Sequence, residues 1–341
     1  MKDLSNNTAL LPSGFEDLLP PQAETEYAAI ATLMGSFYKF GYQRVKPPMA
    51  EFEDSLLAPG PGAALSAETF RVMDSVTHRM MGLRSDITAQ IARIALSRLS
   101  DEERPLRLTY ANDVIRTKAS QARTQRQFTQ VGCELIGVDS AQADAEIAVV
   151  ALKALHEAGV EDVTIDFATP RIVEDIFEAT KTDREEIDAL RHKLSGPADK
   201  AFKAIDEIGL PELVQPLIDR LKTVVETVEN AAKAFGFESF NVTIDPLETR
   251  GFEYHNGVVF TLFAKSIRGE LGRGGRYDIY DGQMVSESAT GFTLYMDTLR
   301  QGIKERAVPT IKDVDASPDW DGVKELHDQG IVTVLKHKEG L

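Results

Sequence analysis

The order of strand-forming runs limits the architectures open to this chain more than any other feature. Tracts rich in β-branched and aromatic residues fall at "YQRVKPP" (42–48), "TFRVMDSVTHRMMGLRSDIT" (69–88), "PLRLTYAND" (105–113), "RQFTQVGCELIG" (126–137) and "DVTIDFA" (162–168). From Thr169 to Phe235 the texture is helical, rich in Glu, Lys and Ala. Strand and turn composition then returns in "FNVTIDP", "EYHNGVVFTLFA" and "GELGRGGRYDIY". A doubly wound parallel sheet needs a crossover helix between successive strands, and no such repeat is present. The expected class is α+β: a mainly antiparallel sheet flanked by helices. Residues 1–168 and 239–305 form the core domain, 169–238 a helical insertion and 306–341 a short C-terminal α/β segment.

Helical periodicity fills the gaps between strands. From Pro21 the apolar positions Tyr27, Ile30, Met34 and Phe37 recur at helical spacing, and Gly41 ends the run. "ITAQIARIALSRL" puts Ile91, Ile94, Ala95 and Leu99 on one stripe. A helix from Ala141 is introduced by Asp139 and Gln142, a capping-box-like pair. The tail carries a helix, "WDGVKELHDQ", and a strand, "IVTVL". In "GRGGRYD" no Gly-Lys-Ser/Thr follows the glycines, so they read as a turn before a strand rather than a phosphate loop.

The 341 residues are 43% hydrophobic, enough for a sizeable core, and carry a formal net charge of −16 with a pI near 4.9. So acidic a surface repels phosphate backbones, which argues against nucleic acid as a partner. The single cysteine, Cys133, excludes an internal disulfide framework, and no Cys/His cluster has metal-ligand spacing. Neither metal nor cofactor is expected. No run approaches eighteen apolar residues and the N-terminal stretch has no apolar h-region, so no membrane span is expected and a cytoplasmic location is.

The strand at 126–137 holds the first chemical clue. Alternation sends Phe128, Gln130, Gly132, Glu134 and Ile136 to one face and Thr129, Val131, Cys133 and Leu135 to the other. The second set is ordinary core. The first sets an amide and a carboxylate either side of a glycine, between apolar residues. Other runs repeat the theme: "GLRSDIT" projects Arg84, Asp86 and Thr88 together, "VIRTK" holds Arg116 and Lys118, "ETRGFEYHNGVVF" offers Arg250, Tyr254 and His255, and "GGRYD" adds Tyr277. Taken singly, an arginine in a strand faces solvent or makes a structural ion pair. Together the groups can satisfy one another or hold a zwitterion, because an ammonium needs acceptors such as Glu134, Gln130 or Thr88 and a carboxylate needs a cation such as Arg116.

In this order the runs resemble the catalytic core of class II aminoacyl-tRNA synthetases of the histidyl type, over about residues 10–305. "GFEDLLP", the helix after it and "KPP" are similar to motif 1, through which the family dimerises. "GLRSDIT" is similar to its arginine-proline-glutamate-x-threonine run, with Ser85 and Asp86 in place of proline and glutamate. "VIRTKASQARTQRQFTQVGCE" is similar to motif 2, "TRGFEYHNGVVF" to the histidine-specific segment and "ATGFTLYMDTLR" to motif 3. The resemblance implies histidine contacts at Asp86, Thr88, Arg116, Gln130, Glu134, Arg250, Tyr254 and His255, with Tyr277 as a further wall. It also implies that Gln130 and Glu134 receive the ammonium while Gly132 leaves it room.

The departures from that family fall in its nucleotide site. Thr298 stands where motif 3 has its phosphate-gripping arginine, and Lys118 where motif 2 has a glutamate; the adenine-stacking aromatic is kept as Phe128. Adenylation needs cations on the transferring phosphoryl group, so an impaired or absent activation step is implied. The segment after residue 305 is shorter than the family's anticodon-binding domain. A synthetase-like chain that keeps the amino-acid contacts resembles the regulatory subunits of ATP phosphoribosyltransferase, a branch that "FEDSLL" and "DIT" also fit. That resemblance implies a non-catalytic subunit that activates a short catalytic subunit in the first step of histidine biosynthesis and mediates feedback inhibition by L-histidine. The alternative is an active histidyl-tRNA synthetase without its anticodon-binding domain.

Overall fold

The computed structural model describes residues 10–120, 123–180, 184–237, 239–249, 254–305 and 309–336. Their strands are β1 (Gln43–Arg44), β2 (Ala50–Phe52), β3 (Phe70–Met73), β4 (Met80–Leu83), β5 (Leu106–Ile115), β6 (Gln127–Ile136), β7 (Val163–Ala168), β8 (Gly196–Pro197), β9 (Phe240–Ile244), β10 (His255–Ala264), β11 (Gly272–Asp281), β12 (Met284–Tyr295), β13 (Ile311–Asp315) and β14 (Val332–Lys336). The α-helices are α1 (Gln22–Lys39), α2 (Glu53–Leu56), α3 (Pro61–Ala64), α4 (Thr88–Ser97), α5 (Ala141–Glu157), α6 (Arg171–Thr180), α7 (Arg184–Leu194), α8 (Ala198–Ile208), α9 (Gln215–Phe235), α10 (Met296–Leu299) and α11 (Trp320–Asp328).

One nine-stranded sheet, ordered β1-β5-β6-β12-β11-β10-β7-β9-β8, organises the larger of two compact units, residues 1–304. Its pairs are antiparallel except at β1–β5 and β7–β9. The α+β class expected from the strand runs is therefore observed as a mixed, mainly antiparallel sheet flanked by helices. A separate three-stranded sheet, β2-β4-β3, contains the hairpin foreseen at 69–88. Residues 305–341 form the second unit, in which the parallel pair β13–β14 is joined through α11. No described helix is long and apolar enough to cross a membrane.

The alternation of β6 sorts two cores. Val131, Cys133 and Leu135 pack with Leu33 and Phe37 of α1, Val150 and Leu155 of α5 and Leu221 and Val225 of α9. Phe128 and Ile136 join a second cluster with Ile87, Ile91, Tyr110, Tyr277 and Tyr295, covered by α4. Between the layers, Arg276 of β11 and Asp144 of α5 make a buried ion pair at 2.7 Å, and Arg220 of α9 reaches the other Asp144 oxygen, also at 2.7 Å. Three distant stretches of sequence are pinned by that one carboxylate.

Several local expectations change. In α1 the core side chains are Ala29, Leu33 and Phe37, whereas Tyr27 is 73% exposed. The cap of α5 is Ser140, whose hydroxyl accepts from the Ala143 N–H at 3.1 Å, rather than the Asp139–Gln142 pair. The "KPP" strand shrinks to Gln43–Arg44, since proline withholds a ladder donor. The glycines of "GRGGRYD" lie inside β11 instead of before it. Gly274 and Gly275 are needed there because an added Cβ would come within 2.5 Å of the Gly291 carbonyl and 2.6 Å of the Val259 side chain, respectively. The stretch between β7 and β9 is helical as expected (α6 to α9), with the two-residue β8 as its one described strand.

Candidate ligand-binding site

Directly paired residues share a sheet face, so the register of β5, β6, β12, β11 and β10 lays out the site in rows. One row reads Leu108, Glu134, Gly291, Gly275, Val259; its neighbours read Ile136, Ala289, Tyr277, His255 and Tyr110, Gly132, Thr293, Arg273, Thr261. Two adjacent glycines beside Glu134 leave a trench in the sheet. An added Cβ at Gly291 would lie 1.8 Å from Glu134 Oε2. Above the trench is a cavity of about 330 Å³, of the size that holds small metabolites.

Seven residues proposed from the sequence line this cavity together: Asp86, Thr88, Arg116, Glu134, Tyr254, His255 and Tyr277. Gln130 is fully buried beneath it. Its Oε1 accepts from the Ile87 N–H at 3.1 Å and its Nε2 donates to Asp86 Oδ2 at 2.7 Å, so its amide orients Asp86. The second Asp86 oxygen accepts from the Thr88 N–H at 2.8 Å. Arg250 lies outside the described residues. The space spared by Gly132 is not ligand space, because a Cβ there would meet the Phe292 carbonyl at 2.2 Å and the Tyr110 hydroxyl at 2.6 Å.

Glu134 sits at the bottom of the trench, 1% exposed. The Tyr277 hydroxyl donates to its Oε2 at 2.9 Å, and the Tyr110 hydroxyl to Oε1 at 3.4 Å; Tyr110 also bonds Thr293 Oγ1 at 2.7 Å. Burial pushes the Glu134 carboxyl up to about 8, the Tyr277 hydrogen bond opposing and the Asp86 charge adding to the rise. Burial likewise drives the hydroxyls of Tyr110, Tyr254 and Tyr277 well above the ordinary phenol range, so all three are neutral donors. Tyr254 stacks on His255 with ring centroids 4.1 Å apart and meets Tyr277 edge-on at 6.0 Å. The result is an acidic floor with one aromatic wall.

Three arginines line the same cavity. Arg116 donates to the Ser85 carbonyl at 3.2 Å, pairs with Glu68 at 3.3 Å and lies over the Phe128 ring at 5.5 Å. Arg123, 8% exposed, pairs with Asp297 and with Glu270 at 3.9 Å. Its guanidinium lies 4.5 Å from the Phe128 centroid and 3.9 Å from that of Tyr295. Arg273 pairs with Glu270 at 2.5 Å. Of the residues assigned to the degraded nucleotide site, Phe128 is buried under the two arginines, Thr298 is buried on α10, and Lys118 is exposed and lines a neighbouring hollow. Sequence reasoning passed over Arg123, Glu270 and Arg273. Arg123 sits in a polar loop with no periodicity, and the two others precede or interrupt a glycine run that reads as a turn.

The carboxylates of Asp86 and Glu134, three arginines and stacked aromatic rings around one cavity suit a zwitterion with a flat polar side chain. Fold and pocket together define a histidyl-tRNA synthetase-like chain: the family described as Histidyl-tRNA synthetase matches residues 14–216 and 192–299. The ATP phosphoribosyltransferase regulatory subunit of Rhodospirillum centenum is 43% identical over 99% of this chain and 92% of its own length, and that of Paramagnetospirillum magneticum 45% identical over 86% and 82%. The chain belongs to the family of ATP phosphoribosyltransferase regulatory subunits. In fold it is similar to an ATP phosphoribosyltransferase regulatory subunit/histidyl-tRNA synthetase from Bacillus halodurans, with a TM-score of 0.81 at 22% identity over 98% of this chain and 94% of that one. Histidyl-tRNA synthetase from Nostoc gives 0.75 at 17% identity, over 98% and 86%.

Proposed function

We propose that this chain is the non-catalytic regulatory subunit of an ATP phosphoribosyltransferase, and that it activates a short-form catalytic subunit and carries feedback inhibition by L-histidine. Histidine occupies the trench: its ammonium meets Asp86 and Glu134, its carboxylate faces Arg116, and its ring lies among Tyr254, His255 and Tyr277. Gln130 acts through Asp86. Arg250, which lies outside the described residues, is a further histidine contact on the strength of its sequence run alone. Inhibition is linkage, since histidine shifts the assembly by the difference in its affinity for the active and inactive arrangements. The chain pairs with a second copy through α1, a role supported by the exposure of Tyr27 at 73% and Tyr38 at 78% on that helix.

The observation that carries the non-catalytic reading is the pairing of Arg123 with Asp297 next to Thr298. A synthetase presents cations to the triphosphate; here a carboxylate neutralises the arginine, and a threonine fills the motif 3 position. The synthetase alternative is therefore not favoured. ATP–pyrophosphate exchange with histidine tests the assignment. Background exchange, together with co-purification with a short catalytic subunit, is the expected result, and robust exchange would refute it.

A further inference from the structure

Asp86 and Glu134, both lining the trench, meet different kinds of hydrogen-bond donor. Asp86 accepts N–H donors on both oxygens, from Thr88 on Oδ1 and from Gln130 on Oδ2, which is the environment of an ionised carboxylate. Among the described residues Glu134 is met by hydroxyls, from Tyr277, Tyr110 and Thr88, and a hydroxyl can accept from a protonated carboxyl as readily as it donates to an ionised one. The hydroxyl shared between Tyr110 and Thr293 can point either way, so the network tolerates both states.

Among the described residues, the groups facing Glu134 are Tyr110 from β5, Tyr277 from β11, Asp86 from the loop before α4, Thr88 from α4, and Tyr254 and His255 at the start of β10. Among the described residues, the charge that acts on it is the Asp86 carboxylate, of the same sign. A charge on Glu134, buried beside the Asp86 carboxylate, is disfavoured without a cation to offset it.

We propose that the empty site holds one proton on Glu134 and that the incoming α-ammonium group displaces it, which couples effector binding to pH. The inference rests on the effector reading above. The carboxyl O–H breaks, the proton leaves to buffer, and the ammonium supplies the positive charge in its place, so the net charge of the trench does not change. The raised titration of Glu134, at about 8, sets the range in which the coupling operates. One unit below that point the carboxyl is about nine-tenths protonated. Histidine affinity then rises about fivefold between pH 7 and pH 8, the increase in the ionised fraction.

Calorimetry of histidine binding to the full chain at pH 7, in buffers of different ionisation enthalpy, counts the protons. The expected result is release of about 0.9 proton per histidine by the native chain and none by Glu134→Gln. Binding heat with no buffer dependence would overturn the proton coupling alone. Absence of any binding heat would overturn the effector reading and the coupling with it. A carboxyl-carbon titration of the ligand-free chain, native minus Glu134→Gln, checks the empty state separately: a midpoint near 8 is expected, and one in the ordinary range, about 4.3, would contradict the proposal.

Discussion

Arg123 is seated on the Asp297 carboxylate and clasped between the rings of Phe128 and Tyr295, 4.5 and 3.9 Å from their centroids. A loop residue and a helix residue separated by more than half the chain are thus joined where Arg123 and Tyr295 line the cavity. Removing one partner of a buried pair leaves an uncompensated charge. Asp297→Asn is expected to lower unfolding free energy by roughly 2–3 kcal/mol, less than for an isolated pair because Glu270 remains 3.9 Å away. Urea titration measures it, and an unchanged midpoint would mean that the pair is solvated.

Asp144 is expected to matter more. With Arg276 at 3% and Asp144 at 2% side-chain exposure and Arg220 on the second oxygen, Asp144→Ala takes the buried carboxylate from two guanidiniums and leaves them the more exposed Asp139, 2.7 Å from Arg220 and 3.5 Å from Arg276. A loss of about 3–5 kcal/mol is predicted, read as a fall in thermal midpoint. A fall of under a degree would contradict the tie between β11, α5 and α9.

Gly291 tests the trench. A methyl group there would lie 1.8 Å from Glu134 Oε2 and 2.7 Å from the Cys133 carbonyl. Gly291→Ala is therefore predicted to displace the Glu134 carboxyl and weaken histidine binding at least tenfold. Calorimetry with native affinity would show that Glu134 is not part of the binding surface.

Gln130 separates orientation from contact. Gln130→Leu leaves the Ile87 N–H and one Asp86 oxygen without their partner. Each orphaned group costs about 1–3 kcal/mol, and affinity for histidine should fall about tenfold as Asp86 loses its anchor. If binding survived while stability fell, Asp86 would be held by its Thr88 contact alone.

Glu134 also makes ligand-free stability depend on pH. Its folded value, about 8, is above that of an unfolded glutamate, so the folded state binds the extra proton between about 4.3 and 8. The contribution is complete below the lower value and is lost as pH rises to the upper one, at about 1.4 kcal/mol per pH unit at most. Relative to Glu134→Gln, native stability should fall from pH 5 to 8 and then level off. Parallel urea midpoints for the two proteins across that range would contradict the assignment.

Much of this architecture can be read from local pattern. The alternation of β6 placed Phe128 and Ile136 in one core and Val131, Cys133 and Leu135 in the other, as observed. The order of strand runs gave the α+β class, and seven proposed residues do line one cavity. What escaped depends on contacts between distant segments. Tyr27 fits the helical period but faces outward, because Ala29 and Leu33 set the buried stripe of α1. Gly132 looked like ligand space until Tyr110, packed from the neighbouring strand, was seen to fill it. No periodicity marks Arg123 or joins Asp144 to Arg276, 132 positions away.

The central claim is that this fold regulates a partner through a retained amino-acid pocket. Its most direct test is the turnover of a short-form ATP phosphoribosyltransferase catalytic subunit, measured alone, with this chain, and with this chain plus histidine. Turnover should rise on mixing and fall again with histidine, and Asp86→Ala should keep the rise while losing the fall. No gain on mixing, or inhibition that survives Asp86→Ala unchanged, would contradict the account.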